Sequence, residues 1–504
     1  MDIAQARYAS GFTHIIDGKP ATSPTTTWVI NPSTGEPFAQ VPIATKAQLE
    51  QTVAAAERAF TSWSAKTWQE RADVLRALAV LIERHAESFV ELIMREVGKD
   101  RHSATFEVGG APEGLSKSAS HKLEEEVVTS EPGRTSKIRY RPYGVCAAAI
   151  AFNFPLFFCI LKLSHALLAG NCLILKTSPT APCVSLKFVE LAQSVVPPGV
   201  LSVLCGGDEL GQWLVQHPRI MRFSFTGSTA TGKAVMREAA AGVKSLTLEL
   251  GGNDPAIVLP DADIKKVAQH LLIGATNNAG QQCFAMKRIF IHEDIYDAVR
   301  DEIVALAKQA KVGDPFDAET IIGPVQNRRV YEKLKGLVAD CKARGYNIAY
   351  EGEAGMAGSK GYFIPITIID NPPDNARIVR EEQFGPIIPL LKWKDDNEVV
   401  VRANDTEYGL NASIWGSNMV RIQNIADKLY VGTVWINEWA AMHPDLPFLG
   451  VKHSGVGVEN SKHGFLSWVY PQAYVCRESL NGALTEPEPE QPSRDAQSRS
   501  GLWA

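Results

Sequence analysis

Between Tyr143 and Gly252 the chain alternates short apolar runs with amphipathic helical stretches, and no other feature narrows its fold as far. CAAAIAF is followed by FFCILKLSHALLA and a stop at Gly170. CLILK leads through the turn TSPTAP into VSLKFVELAQSV and the breaker Pro197-Pro198-Gly199. LSVLC, a short helix at 210–216, RFSFTG, a helix from Thr231 and SLTLEL complete the series. Two strands with a helix between them cannot close as a hairpin, so they lie parallel with the helix crossing over. The pattern predicts an α/β fold with a Rossmann-like open sheet. Gly251-Gly252 ends the series and reads as a hinge between domains. Beyond it the same style resumes, with a helix DIKKVAQHLLIGATNNAG leading to Cys283, a strand KRIFIH, and helices IYDAVRDEIVALAKQA and RRVYEKLKGLVADCKARG.

The N-terminal part reads as helical. Thr45 with Gln48, and Thr67 with Glu70, have capping-box spacing. Leu49, Val53, Ala56 and Phe60 share a helical face, and AESFVELIMREV stops at Gly98, a C′ glycine. Residues 135–141 (TSKIRYR) alternate as a strand, and a second strand is expected at 473–477. Exposed edges of such an arm need a partner, which predicts a homodimer or homotetramer.

Composition excludes several classes. Lys plus Arg number 51 against 56 Asp plus Glu, a net charge of −5, so no positive field is available for nucleic acid or an anionic membrane. Residues 145–161 (VCAAAIAFNFPLFFCIL) are apolar over almost a bilayer's span. Asn153 and Pro155 break that run at its centre, and no second span exists to satisfy a broken one. The first residues lack the apolar core of a secretory signal. The eight dispersed cysteines form no CxxC or zinc-like spacing and read as reduced thiols of a cytoplasmic protein, with no metal site. The last twenty residues, TEPEPEQPSRDAQSRSGLWA, are polar and proline-rich and read as a disordered tail.

Three residues suggest chemistry. Cys283 lies in Asn278-Ala279-Gly280-Gln281-Gln282-Cys283-Phe284-Ala285, where Gly280 lets the backbone turn beside a reacting group. A thiol is only a few per cent thiolate at neutral pH and needs activation by position or a base. Taken alone, one cysteine of eight is more often a small buried hydrophobe. Glu249 interrupts the apolar strand LTLEL, where a lone carboxylate is costly unless paired or protonated. A structural ion pair would explain it equally well. Asn153 ends a strand in Ala151-Phe152-Asn153-Phe154-Pro155; its amide can donate to a developing oxyanion or simply make a turn.

Taken in order, FNFP, KTSP, FTGS, LELGG, GQQC and EEQFGP resemble the motifs of the aldehyde dehydrogenase superfamily. The thirty-four residues from Glu249 to Cys283 fit that family's glutamate-to-cysteine interval, and the resemblance runs from about Asn31 to Glu459. It implies non-acylating, NAD(P)-dependent oxidation of an aldehyde to an acid. The implied fold is a Rossmann-type cofactor domain (1–124 and 143–251), a catalytic α/β domain (252–465) and a small β oligomerisation arm (125–142 and 466–484), ahead of the tail at 485–504. In this resemblance Cys283 is the nucleophile, forming a thiohemiacetal and then a thioester. Asn153 and the Cys283 backbone N–H hold the oxyanion, and Glu249 activates the hydrolytic water. NAD, with NADP as an alternative, falls to Phe152, Lys176, Pro179, Gly227, Ser228, Leu250, Glu382 and Phe384. Lys176 faces the adenosine ribose, Ser228 the pyrophosphate at a helix N-terminus, and Glu382 with Phe384 the nicotinamide ribose. Phe152 stands where the family usually has Trp. Pro179 stands where it often has a ribose-binding Glu, which weakens rejection of a 2′-phosphate. Asn253, Leu449 and Val458 also depart from the usual motifs.

Large apolar residues are expected along the substrate tunnel: Phe154, Phe157, Phe284, Trp439 and Met442. No Arg in these segments grips a second carboxylate, so an apolar or aromatic aldehyde is expected before a small polar semialdehyde. The same rings would also suit a core. Among rival readings, acylating relatives that pass the thioester to coenzyme A lack the LELGG glutamate. A non-catalytic scaffold on this fold has no need of Cys283, Glu249 and Asn153 together. A simple thiol hydrolase would need a Cys–His pair and no nicotinamide.

Overall fold

The structure is a computed structural model that describes Tyr8, residues 10–353, Gly355 and residues 358–477. Two compact units are present. The larger comprises the residues up to Lys122 and Pro142–Tyr470; the smaller comprises Leu123–Arg141 and the residues from Pro471 on. The tail expected at 485–504 lies outside the described residues.

Two sheets organise the larger unit. The first runs in the order Gly455–Val456, Ser245–Glu249, Arg222–Thr226, Val145–Ala149, Cys172–Lys176, Leu201–Leu204, His14–Ile16 and Lys19–Ala21. Its five central strands are parallel. Helices Pro155–Leu168, Cys183–Ala192, Asp208–Gln216 and Thr229–Ala240 connect them, as the alternation of apolar runs requires. The chain starts at Val145–Ala149, builds outward to Leu201–Leu204, then crosses back to Arg222–Thr226 on the other flank. That reversal opens a crevice at the carboxyl ends of the strands, where ligands of open α/β sheets bind.

The second sheet has the order Asn347–Glu351, Thr367–Asp370, Ile387–Trp393, Met286–His292, Asp254–Val258, Asn411–Trp415 and Thr433–Ile436. All its pairings are parallel except the first. A continuous buried layer of Ile, Leu and Val from these strands packs against helices Ile264–Thr276 and Tyr296–Ala307.

Both capping boxes form, at Thr45–Gln48 and Thr67–Glu70, and Gly98 takes φ +82° at the end of helix Ala86–Val97. The N-terminal part is not wholly helical, however. His14–Ile16 and Lys19–Ala21 make a hairpin on the edge of the first sheet, and Thr26–Asn31 pairs with Glu36–Pro42. These strands are short, so their period-2 signal is weak. Helix Arg101–Ser118 was hidden by Gly109-Gly110 and Pro112 within it. The apolar stretch 145–161 divides into strand Val145–Ala149 and the start of helix Pro155–Leu168. Among the described residues, no helix is long and apolar enough to cross a membrane.

In the smaller unit, Arg134–Pro142 lies between Glu126–Glu131 and Val469–Arg477 in a three-stranded sheet. Val127, Val128 and Val475 are exposed on it, and the Arg139 guanidinium lies 3.6 Å from the Tyr474 ring centroid.

Candidate active site

The candidate residues of the first sheet gather at the carboxyl ends of its parallel strands. Lys176 ends Cys172–Lys176 and Glu249 ends Ser245–Glu249. Phe152 and Asn153 follow Val145–Ala149, and Gly227-Ser228 follow Arg222–Thr226. The topology alone therefore brings residues up to about a hundred positions apart to one edge.

The loop before Cys283 departs from the sequence reading, which carried the helix through Gly280. Helix Ile264–Thr276 stops at Thr276, and Asn278, Ala279 and Gly280 take φ of +53°, +54° and +72°. Left-handed backbone costs a non-glycine residue roughly 1–2 kcal/mol, so the turn must be held from outside. The Asn278 side-chain amide donates to Asn153 O (3.1 Å), and the Gln281 N–H donates to Asn278 O (3.0 Å). Asn153 Nδ2 in turn donates to Gln281 O at 2.9 Å. Asn153 and the cysteine loop are thus tied two residues from the thiol. Gly280 has no alternative: a Cβ there would lie 2.4 Å from Gly385 O and 2.5 Å from Lys287 Nζ.

Gly251-Gly252 proves to be a site of close approach. A Cβ on Gly252 would sit 2.1 Å from Cys283 O, and one on Gly251 would sit 2.8 Å from Glu382 Oε2. The pair admits the nucleophile loop and the Glu382 carboxylate to the strand end, where a side chain would not fit.

Cys283 and Cys476 are the two thiols of the eight that are partly exposed. Burial, followed by the charges of Glu249, Asp254 and Glu382, pushes the Cys283 thiol well above its ordinary range. Glu249 is 5% exposed, and neither carboxylate oxygen has a hydrogen-bond partner. Burial first, then the Glu459 charge, raises its pKa well above the usual carboxylate range, with Lys162 opposing. Among the described residues, no ion pair with Glu249, the alternative left open by the sequence, is formed. Lys162 instead pairs with Glu459 (Nζ–Oε1 2.5 Å), both side chains being fully buried, and Ser224 Oγ donates to the same oxygen at 2.9 Å. The sequence reading missed this pair. Glu459, near the end of GVGVE, was its only cue, and a partner 297 residues away carries no local signal.

The other candidates line the same edge. Lys176 is 7% exposed, and among the described residues its ammonium donates to Thr177 O alone, at 3.3 Å. Burial lowers its pKa, with Cys205 and Asp208 opposing. Pro179 is exposed. Ser228 caps helix Thr229–Ala240, accepting from Thr231 N. The Gly227 N–H donates to Glu249 O (3.0 Å). Leu250 packs on Gly232, where a Cβ would come within 2.3 Å of it. Glu382 Oε1 accepts from Gly252 N (3.0 Å), and burial raises its pKa. Phe384, at φ +59°, meets Phe152 edge to face with ring centroids 5.8 Å apart. Asn253, the unusual residue after LELGG, donates to Val379 O at 2.8 Å and so ties the strand end to the segment leading into EEQFGP.

The tunnel candidates fall into two ring clusters. Phe154 and Phe157 meet each other at 6.4 Å and both meet Phe158. Phe284 meets Trp435, Trp439 and Phe448 at 5.8–6.3 Å, and Trp439 Nε1 donates to Phe284 O at 3.0 Å. Phe158, Trp435 and Phe448 were not singled out from sequence. Met442 is 40% exposed, the most accessible of the five candidates.

The family model of the aldehyde dehydrogenase family matches residues 19–473. The chain belongs to the aldehyde dehydrogenase family. It is 40% identical over 462 residues to an aldehyde dehydrogenase of a Fusarium species, covering 92% of this chain and 98% of that one. It is similar to the NAD+ complex of a Bacillus cereus aldehyde dehydrogenase, with 31% identity, a TM-score of 0.92, and 95% and 99% of the two chains covered. An NADP-dependent enzyme of E. coli matches at 30% identity with a TM-score of 0.90, covering 94% and 99%. As a member of the family, the protein is an NAD(P)-dependent oxidoreductase acting on the aldehyde group.

The residues of this aldehyde dehydrogenase suit a dinucleotide. Lys176 keeps N–H donors beyond its single carbonyl contact, as a ribose hydroxyl requires. The N-terminus of helix Thr229–Ala240 offers a positive end to a pyrophosphate. Glu382 has one carboxylate oxygen engaged by Gly252, leaving the other to accept from a hydroxyl.

Proposed function

We propose that the enzyme oxidises an apolar or aromatic aldehyde to its acid, with Cys283 as nucleophile, Asn153 as oxyanion donor and Glu249 as the base for hydrolysis. The reading is carried by one observation: Asn153 is bonded to the loop of Cys283, and the buried, unpartnered Glu249 acts electrostatically on the same thiol. The Cys283 sulfur, its S–H proton released, adds to the aldehyde carbon, and the carbonyl π pair moves to oxygen to give the oxyanion of a thiohemiacetal. The free N–H of the Asn153 amide and the Cys283 backbone N–H stabilise the oxyanion, each such donor being worth about 3–4 kcal/mol in comparable sites. NAD(P), when bound, supplies the acceptor for the hydride lost from the former aldehyde carbon. A thioester on Cys283 results. Glu249, in its ionised form, then takes a proton from water at a carboxylate oxygen, the hydroxyl adds to the thioester carbon, and the Cys283 sulfur leaves as the thiolate.

Lys176, the position of Pro179, Gly227, Ser228, Leu250, Phe152, Glu382 and Phe384 are assigned to the cofactor, with NAD used and NADP accepted. The first sheet (1–124 and 143–251) serves as the cofactor domain and the second (252–465) as the catalytic domain. The arm (125–142 and 466–484) joins copies of the chain into a homodimer or homotetramer in the cytoplasm. Exposed Val127, Val128 and Val475 on the arm support that assembly. A monomer by light scattering at micromolar concentration would count against it.

The two ring clusters support the substrate class. Burial of apolar surface at about 25 cal/mol per Å² gives roughly 0.8 kcal/mol per methylene while pocket remains to be filled. kcat/KM is therefore expected to rise several-fold per two carbons from acetaldehyde to hexanal, with benzaldehyde also favoured and succinate semialdehyde well behind. If acetaldehyde or succinate semialdehyde proves the better substrate, the apolar reading is wrong, and Phe284, adjacent to the nucleophile, becomes the gate to mutate.

A further inference from the structure

The segment that carries Asn153 is held by two buried charges that the reaction itself does not use. Phe154 is the N-cap of helix Pro155–Leu168, at φ −143° and ψ 67°, and its side chain makes no capping bond. The orphan N–H groups of Leu156 and Phe157 donate instead to Glu107 Oε1, at 2.9 and 3.1 Å. Glu107 Oε2 accepts from Lys99 Nζ at 2.6 Å, and both side chains are fully buried. The same ammonium lies 3.3 Å from the Phe154 ring centroid. A carboxylate at a helix N-terminus satisfies donors that have no partner within the helix and interacts favourably with its dipole. Here it also clamps the first turn of the helix, three and four residues after Asn153, while Lys99 braces the Phe154 ring that lies between them in sequence. The Lys99 charge is thereby offset by that of Glu107.

We propose that Glu107, braced by Lys99, is a positioning residue that sets the Asn153 amide for oxyanion stabilisation. The inference rests on Asn153 acting as oxyanion donor. Asn153 is anchored on one side by its bonds to the cysteine loop and on the other by the start of this helix. A misplacement of about 1 Å at such a group costs on the order of a hundredfold in rate. Glu107 acts from helix Arg101–Ser118, outside both sheets.

A double-mutant cycle separates this role from a merely structural one. Glu107→Leu in the otherwise wild-type enzyme is expected to lower kcat/KM about tenfold or more, mainly through kcat, with cofactor binding by fluorescence titration unchanged. In an Asn153→Ala background the same substitution is expected to cost less than about threefold, because the group it positions is gone. Glu107→Gln combined with Lys99→Met keeps an acceptor for the two N–H groups without stranding an ammonium, and should recover most of the loss. Equal losses in both backgrounds would overturn the inference. A normal kcat/KM for Asn153→Ala alone would instead overturn the reading of Asn153. Should Glu107→Leu fail to fold, Lys99→Met takes its place in the cycle and is read by the same rule.

Discussion

Replacing Glu249 by Gln is expected to give an enzyme that reduces about one equivalent of cofactor per active site in a rapid burst and then turns over slowly. With Glu249 as the hydrolytic base, thiohemiacetal formation and oxidation precede the step it serves, so the acyl-enzyme accumulates. General-base catalysis contributes about 10²–10⁴-fold, and the steady-state rate should fall by that order. Stopped-flow absorbance of the reduced cofactor measures both phases, and an unchanged steady-state rate would remove Glu249 from the mechanism. The same variant tests the electrostatics. Burial and Glu459 raise the Glu249 pKa in the folded chain, so the folded state holds this proton to higher pH than the unfolded one. The group's stabilising contribution is complete below the ordinary glutamate range and is lost as pH rises through the raised value. Gln has no proton to lose. Its melting temperature should exceed that of wild type at alkaline pH, with the gap closing on acidification; a gap independent of pH would contradict a carboxyl whose pKa is raised by burial.

What the sequence made legible follows from the range of each interaction. The parallel order of the first sheet, the two capping boxes and the C′ glycine at Gly98 depend on residues a few positions apart, and their signals are local. Cys283, Glu249 and Asn153 stood out because each is chemically costly or unusual where it lies, and the ordered motifs bound them into one family. The left-handed turn at Asn278-Ala279-Gly280 was not legible. Asn278 and Ala279 are no worse in a helix than their neighbours, and only the bonds to Asn153 and Gln281 force the turn. Gly251-Gly252 was visible as a break, but its reason, the Cys283 carbonyl against Gly252, appears only in three dimensions. The buried pairs Lys162–Glu459 and Lys99–Glu107 were hidden for the same reason. In a string of letters a buried lysine looks like a surface one, and its burial is decided by a partner on another element.

Changing Pro179 to Glu is expected to reduce NADP use about ten- to a hundredfold relative to NAD. Pro179 is exposed and lies in the turn that follows strand Cys172–Lys176. It has no backbone N–H, so its replacement breaks no main-chain bond. The neighbouring bond, Thr180 N to Ser178 Oγ at 3.4 Å, does not involve it. An acid at this position would accept from the adenosine ribose hydroxyls and repel a 2′-phosphate. A charge clash of this kind is worth on the order of 1–3 kcal/mol, which is the stated range of discrimination. Wild type, with Lys176 present and no acid, should use NAD and accept NADP measurably. Parallel kcat/KM determinations with both cofactors, on wild type and Pro179→Glu, decide the matter. If wild type already rejects NADP completely, another residue performs the discrimination and Pro179 has no part in it. If wild type accepts NADP and the variant accepts it equally, the added carboxylate does not reach the 2′-phosphate, and the adenosine ribose must lie elsewhere along the edge that Lys176 and Ser228 define.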